Sequence, residues 1–511
     1  MKLGPGSSII LAVNRENARV REGNFMVTTT ASPRKAGFNS LRDFLEVLEE
    51  KNLLHRIPVP VEKDWELGAI CRENFDREGP AVLFEKVGQY RTPVLVGLLA
   101  TRERYALAMG VEPTTEAIAE KWRQAYARQV KPRVVSRSAA PCKEVVLDRV
   151  DLYGEPFAVP KWHELDGGPE IGTLHAVITR DPETGWINAG NYRNQIFTAT
   201  QMGCYVLQTP PRHIRIQWEK WKARGEAMPV AVAIGPEPCL NLTAVAAVPA
   251  QVDEYDIAGG LKGEPVEVVK AELSDLLVPA QAEIVIEGEM PIDRFWPVEG
   301  PFGEFLGFMG GVVKDSLYIE VKKVTHRRDP IFHGTYEGRP PNESTTVRAT
   351  GRSAAIMEHL RRAGLVGIKD VCATTASCAG FHVVVSLKKS YPGHVRDVMG
   401  HVWGHPTLYC KLVIVVDEDI DPWNPFLVEW AMATRVQACR DVVTLPGGKT
   451  VPLDVSQVPS RRGESDLMGI DATKPIREYA REGETFPPTA DPAPEQMEKV
   501  RRRWKEYGFH A

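Results

Sequence analysis

Closely spaced cysteine pairs are missing from this chain. The eight cysteines, at 71, 142, 204, 239, 372, 378, 410 and 439, include no C-x-x-C spacing in 511 residues. Neither a disulfide framework nor a zinc knuckle is indicated, and the thiols are expected to be reduced and mostly buried. Long apolar runs are missing too. The stretch Ile9 to Val13 is too short for a signal-peptide core, and nothing approaches the roughly 18–20 apolar residues that cross a bilayer. The expectation is a cytoplasmic protein without membrane contact. Nor is there an excess of one charge sign. Sixty-three basic against 67 acidic residues give a formal charge of −4. Basic side chains are interleaved with acidic ones, whereas nucleic-acid binding needs a concentrated basic face, so no nucleic-acid partner is expected. The Arg501 to Lys505 run reads as the solvated side of a terminal helix. Also lacking are a P-loop, a G-x-G-x-x-G behind a strand, a G-x-S-x-G elbow and an internal repeat. His163-Glu164 has no second histidine four residues on, which removes the zinc-protease reading.

What remains is an ordinary folded composition, 43% hydrophobic and 25% charged, in a length that suits roughly two to four domains. Residues 1–36 show no sustained period and read as a loose leader, with Met26 an alternative start. Residues 37–130 read as an N-terminal α/β domain. Ser40 and Asp43 suggest a capping box, and Leu41, Phe44, Leu45 and Leu48 recur at helical spacing. Strand-like runs at Ala81 to Phe84 and Val94 to Leu98 precede a helical stretch from Thr115 to Gln129. From 131 to 330 short strands separated by Pro and Gly point to a mostly β domain, a barrel or sandwich. A hairpin is placed at 175–193 around Asp181-Pro182-Glu183-Thr184-Gly185, and a strand at 283–289 carries Ile284 and Ile286 on one face and three glutamates on the other. Residues 331–453 return to α/β alternation, with a helix at 346–363, and strands at 382–387 and 408–416. Residues 454–511 read as an extended arm, to about 493, and a final helix over 494–507.

Four dispersed segments could carry chemistry. In Val298-Glu299-Gly300-Pro301-Phe302-Gly303-Glu304, two carboxylates five apart bracket a tight turn; on turn chemistry alone this is a surface loop with solvated acids. Trp186 to Arg193 is a polar cluster within a strand that reads, alone, as a sheet edge. His213, in Pro210-Pro211-Arg212-His213, and Glu254, in Asp253-Glu254-Tyr255, are each weak signals. Together, Asn188, His213 and Glu254 make the nitrogen and oxygen donor set that a hard divalent ion such as Mn²⁺ or Mg²⁺ accepts.

Taken in order, Asn188 and Arg193, His213, Glu254 and Glu299-Gly-Pro-Phe-Gly-Glu304 resemble the UbiD family of decarboxylases that use prenylated FMN. The likeness extends to Glu264-Pro265-Val266 and to Val415-Val416-Asp417-Glu418-Asp419-Ile420-Asp421, and covers nearly the whole chain from Phe38. The resemblance implies an N-terminal α/β domain, a split β-barrel like that of flavin reductases, and a C-terminal α/β domain that dimerises. It implies that Asn188, His213 and Glu254 bind a divalent metal, Mn²⁺ or Mg²⁺, that holds the flavin phosphate. Gly190, Tyr192, Arg193 and Arg212 fall beside them at the cofactor, and Arg193, Glu299 and Glu304 fall on the family's catalytic network. A departure lies at Thr243 to Val248, where relatives support a monovalent ion with a serine that this chain lacks. Backbone carbonyls could serve a K⁺ there, and a flavin phosphate at about −2 with Glu254 at −1 exceeds one divalent cation by about one charge.

The implied reaction is reversible, non-oxidative loss of CO₂ from an aromatic or heteroaromatic acid, with α,β-unsaturated acids also open. Prenylated FMN, supplied by a flavin prenyltransferase, would be the electron sink. Arg193 would orient the carboxylate. Glu304 would donate the proton and must carry it to act, although a free glutamate titrates near about 4.3. In that reading Glu299 takes up the charge of Arg193, and Phe302 and Phe305 exclude water from Glu304. A homo-oligomer, dimer or hexamer, is implied. Two other readings stay open: an FMN-dependent split-barrel reductase, and a non-catalytic subunit of a larger carboxylase assembly.

Overall fold

In the computed structural model, residues 37–206 and 212–509 are described; the leader expected at 1–36 lies outside them. Helix Leu41–Glu50 forms where its pattern places it. Ser40 and Asp43 cap it reciprocally, and Leu41, Phe44, Leu45 and Leu48 are all buried, each burial contributing about 1.5–3 kcal/mol. They share a core with Leu83 and Leu95, in a sheet of order Leu54–Val61, Ala81–Val87, Val94–Val96, Phe332–His333. The fourth strand returns from beyond the central section to pair in parallel with the third.

The central section is a nine-stranded sheet. Its order is Glu170–Gly172, Asn194–Thr198, Gln201–Gly203, Tyr318–His326, Ile284–Met290, Met228–Ile234, His175–Arg180, Ile187–Gly190, with Val145–Val146 added to Tyr318–His326. Every pairing in it is antiparallel. The expected hairpin is present, and Ile187–Gly190 is an edge strand. Two features differ from the reading of the sequence. The glutamate side of Ile284–Met290 carries buried ion pairs that the sequence pattern did not show: Glu283 against Arg42, and Glu287 against Lys143 at 2.8 Å. Three helices also interrupt the β-rich section, at His213–Arg224, Pro238–Val245 and Glu254–Lys262. Their signals are local: Gly225 and Gly263 close two of them in the left-handed region, and Pro238 starts the third behind the capping carboxylate of Glu237.

The C-terminal section stacks helix Glu343–Arg362 on a mixed sheet of order Ile368–Ala373, His382–Leu387, Leu412–Asp417, Glu464–Ala472, Val442–Lys449. The stretch expected to form an extended arm from 454 therefore holds an interior strand. Ser465, Leu467 and Gly469 point inward while Glu464, Asp466 and Met468 are exposed; this alternation is masked in sequence by the charge and serine around it. Residues 476–509 belong to a separate unit, with helices Ile476–Arg481 and Pro494–Arg502 and a short turn Trp504–Tyr507 in place of one terminal helix. The chain is thus mixed α/β around an antiparallel sheet. Among the described residues no helix is long and apolar enough to cross a membrane, and the eight cysteines are free, six of them buried.

Candidate active site

Asn188, Tyr192, His213 and Glu254 meet at the edge strand. Asn188 is buried, its Nδ2 donating to Thr179 Oγ1 at 3.2 Å and its Oδ1 accepting from the Tyr192 hydroxyl at 3.1 Å. The ring of Tyr192 folds back over Gly190, where a Cβ would stand 2.6 Å from it. Burial raises the Tyr192 phenol, which keeps its proton. Glu254 and His213 are each the first residue of a helix, a position that favours a carboxylate or a bound anion. Glu254 Oε2 accepts from Ala189 N at 2.9 Å, and its Oε1 faces His213 Nδ1 at 3.9 Å. That gap is too long for a hydrogen bond. The His213 ring stands edge-on to Trp186, with centroids 4.8 Å apart. Arg212 is exposed immediately ahead of it. Among the described residues no three His, Cys, Asp or Glu side chains gather as a metal site; of the three side chains expected from the sequence, Asn188 offers an amide oxygen.

Arg193 follows the same edge strand. Its Nη1 donates to Glu304 Oε1 at 2.9 Å and its Nη2 to Glu299 Oε1 at 3.2 Å, while Tyr205 and Phe302 lie against the guanidinium at 4.6 and 4.7 Å. Glu299 is fully buried, its second oxygen taking the Ser316 hydroxyl. Burial raises its carboxyl against the pull of Arg193 and Ser316. Burial also works against the Arg193 charge, but Glu170, Glu299 and Glu304 together hold the guanidinium above its ordinary value. The turn between the two acids is pinned along its length. Gly300 N donates to Gln195 Oε1 at 2.8 Å, Gly167 N to Pro301 O at 2.7 Å, and Gly303 N to Asp166 Oδ1 at 2.9 Å. Gly300 takes φ +86° and Gly167 leaves no room for a Cβ, which would lie 2.1 Å from Gly300 O. The sequence reading of this segment as a solvated surface loop is therefore replaced by a buried, fastened turn.

Two further acids join the site, Glu170, which the sequence did not single out, and Glu337, whose segment it offered as a pocket-lining loop or a simple domain connector. Glu170, opposite Gln195 in the adjacent strand, is fully buried with both oxygens unpartnered, and burial pushes it well above the carboxylate range despite Arg193. Glu337 lies in the Gly334 to Gly338 segment; burial pushes it up to about 7. Glu337 lines a shallow cleft with Thr173, Asn191, Val245 and Arg348. Arg348 also lies over the Phe305 ring at 4.0 Å, and Phe305 is only partly buried. Pro169-Glu170-Ile171-Gly172 reads simply as a strand approach, so no local signal marks Glu170.

Three family models match in chain order: the N-terminal domain of 3-octaprenyl-4-hydroxybenzoate carboxy-lyase at 45–122, its Rift-related domain at 133–340 and its C-terminal domain at 345–472. The phenolic acid decarboxylase of Sedimentibacter hydroxybenzoicus is 35% identical over 454 residues, 86% of this chain and 92% of that protein. Among solved structures, the UbiD-class enzyme HmfF from Pelotomaculum thermopropionicum in complex with FMN is 34% identical. It superposes with a TM-score of 0.82 over 89% of this chain and 98% of its own. An evolved dimeric form of HmfF in complex with prFMN gives 33%, 0.78, 89% and 97% for the same measures. The vanillic acid decarboxylase of S. hydroxybenzoicus, in open form, is 32% identical with a TM-score of 0.82, over 92% of this chain and the whole of its own. With Asn188, Arg193, His213, Glu254, Glu299 and Glu304 all inside the matched central model, the chain belongs to the UbiD family of carboxy-lyases.

Proposed function

We propose that the chain is a reversible, non-oxidative decarboxylase of an aromatic or heteroaromatic carboxylic acid, working with prenylated FMN held through a divalent metal. The observation that carries this is Arg193, shared between two carboxylates on a fastened turn and lying just past the edge strand that carries Asn188, on which Glu254 and His213 converge from the starts of their helices. The activities named for the relatives, on phenolic and vanillic acids, support the aromatic class.

The donor set fits the cofactor. Asn188 Oδ1, His213 Nδ1 and Glu254 Oε1 are oxygen and nitrogen atoms free of sulfur, and 3.9 Å between the last two is a span that two ligands of one ion can have when each lies about 2.1 Å from it. They would hold Mn²⁺ or Mg²⁺ against the flavin phosphate. A K⁺ at the Thr243 to Val248 carbonyls would offset the remaining negative charge; Ala244 O already accepts from Asn191 N at 2.8 Å and keeps one lone pair. The split-barrel description of the central sheet rests on the same reading, as does a homo-oligomer, dimer or hexamer, for which the dimeric HmfF form is support.

Losing CO₂ from an sp² carbon leaves an electron pair in the ring plane, and the bound prenylated flavin supplies the sink that no side chain offers. The protein's own share is positioning and proton traffic. Arg193 Nε is buried without a partner, a donor left for the substrate carboxylate while both Nη atoms hold acids. Glu304, more open than Glu299, would give a proton to the carbon that has lost CO₂. Glu299 would balance the Arg193 charge from below, and Phe302, buried against Arg193, would keep water off.

The test is CO₂ release across a panel of hydroxylated benzoic acids and furoic acids, with protein produced alongside a flavin prenyltransferase and its cofactor confirmed by absorbance. Release from a member of the panel is the expected result. Loaded protein that releases no CO₂ from any of them, yet oxidises NAD(P)H, would overturn the proposal in favour of a reductase.

A further inference from the structure

We propose that His163 and Asp166 are a positioning pair that locks the turn carrying Glu304 to the segment carrying Glu337; the inference rests on Glu304 acting as proton donor. Asp166 is buried, and its carboxylate collects three backbone and ring contacts. Oδ1 accepts from Gly303 N at 2.9 Å, Oδ2 from His163 N at 2.8 Å, and His163 Nδ1 lies 3.1 Å from Oδ2. On its other side the same imidazole presents Nε2 to Glu337 O at 3.0 Å. The carboxylate and the carbonyl are both acceptors, so each contact is made when the facing ring nitrogen carries hydrogen.

The ring is also fitted to its place. It packs on Tyr336 with centroids 4.8 Å apart, and it fills the space over Gly303, where a Cβ would stand 2.3 Å from His163 Cε1. Gly303 immediately precedes Glu304. A side chain at 303 would push the imidazole away, and loss of the imidazole would leave Asp166 held by the His163 main chain alone, loosening the carboxylate on which the Gly303 amide rests. Glu304 is reached from Arg193 on one side only, by a single 2.9 Å contact. The angle at which its carboxyl enters the site is therefore set by Arg193 and by its own backbone, which the 303 amide on Asp166 fixes together with the Glu304 N to Phe308 O bond at 3.0 Å. Displacement of a catalytic group by about 1 Å costs on the order of 100-fold in rate. Neither residue touches the Asn188, His213 and Glu254 donors, so the pair should govern turnover without governing cofactor retention.

The test uses the full chain loaded with cofactor and an acid shown to be a substrate for the unaltered protein. His163→Phe keeps a ring on Tyr336 and removes both polar contacts. The expected result is kcat lowered about 10- to 100-fold, with KM for the acid, FMN affinity and the melting temperature nearly unchanged. Gly303→Ala should lower kcat similarly when alone, and add nothing further in a His163→Ala background, because the clash and the lost contact are one interaction. An unchanged kcat in His163→Phe would overturn the inference. So would losses that simply multiply in the double variant, or kcat, FMN affinity and melting temperature falling in step, which would mark a purely structural role. Absence of turnover in the unaltered loaded protein sinks the decarboxylase reading itself, and with it the role given to Glu304; turnover there with indifferent variants sinks only the pair.

Discussion

Arg193 holds Glu304 more closely than it holds Glu299, at 2.9 Å against 3.2 Å. The sequence reading had Glu299 absorbing the guanidinium charge and leaving Glu304 to itself; the structure divides the fork, one Nη to each acid. A shared guanidinium suits a group that changes its protonation during turnover, because the same hydrogen bond can be made to a carboxylate and to the carbonyl oxygen of the acid. Glu304→Gln keeps that acceptor and removes the transferable proton. Turnover should fall by about 10² to 10⁴, while the flavin absorbance of the purified protein is retained. A variant within a few-fold of the unaltered rate would remove Glu304 from the proton path.

His213→Ala should cost the cofactor rather than the chemistry alone. His213 Nδ1 and Glu254 Oε1 face one another across 3.9 Å without a hydrogen bond, and deleting His213 leaves the proposed ion only Glu254 and the Asn188 amide oxygen. On the proposed metal reading, elemental analysis of the purified variant should show much less divalent metal than the unaltered chain, with the flavin lost in proportion. Full flavin occupancy in a metal-free variant would mean that the phosphate is held elsewhere.

Gly190 gives a test that leaves every polar group in place. A methyl at 190 would sit 2.6 Å from the partly buried Tyr192 ring, which must tilt and withdraw its hydroxyl from Asn188 Oδ1. Gly190→Ala should therefore weaken FMN binding by roughly tenfold, the equivalent of ~1.4 kcal/mol, measured by quenching of flavin fluorescence. Tyr192→Phe, which loses the same hydroxyl without displacing the ring, should show a similar loss; an unaffected Gly190→Ala would separate Tyr192 from the donor set.

How much of this could be read from the sequence depends on how local its cause is. The helix Leu41–Glu50 has its cap, its acid and its apolar stripe within ten residues, and it forms as written. The strand Glu464–Ala472 has only a weak alternation of its own and owes its interior place to Leu412–Asp417, which lies well back in the chain, as well as to the nearer Val442–Lys449, so its own segment reads as an arm. The same division holds at the site. Asn188, Arg193, His213, Glu254, Glu299 and Glu304 were found through their order along the chain, not through any single segment. Glu170 and Asp166 carry no such mark. What matters about Glu170 is that folding strips it of water beside Arg193, and for Asp166 it is an amide 137 residues later that closes on its carboxylate. Burial without a partner and contacts across that distance are properties of the fold alone.

Glu337 makes the last of these buried acids measurable. Its folded-state value near 7 lies above the roughly 4.3 of an unfolded glutamate. Between those values the folded chain keeps a proton that the unfolded chain has released, so stability falls as pH rises through the window, and the contribution is complete below it. The loss reaches about 3 kcal/mol by pH 8. Glu337→Gln has no proton to lose there, while every other titrating group is common to both proteins and cancels in the difference. Part of that loss is already complete at pH 5, so urea unfolding at pH 5 and pH 8 should show the variant gaining on the unaltered chain by about 2.5 kcal/mol between the two conditions. Unfolding curves that keep the same separation at both pH values would place Glu337 as an ordinary ionised carboxylate and remove it from the buried acids of the cleft.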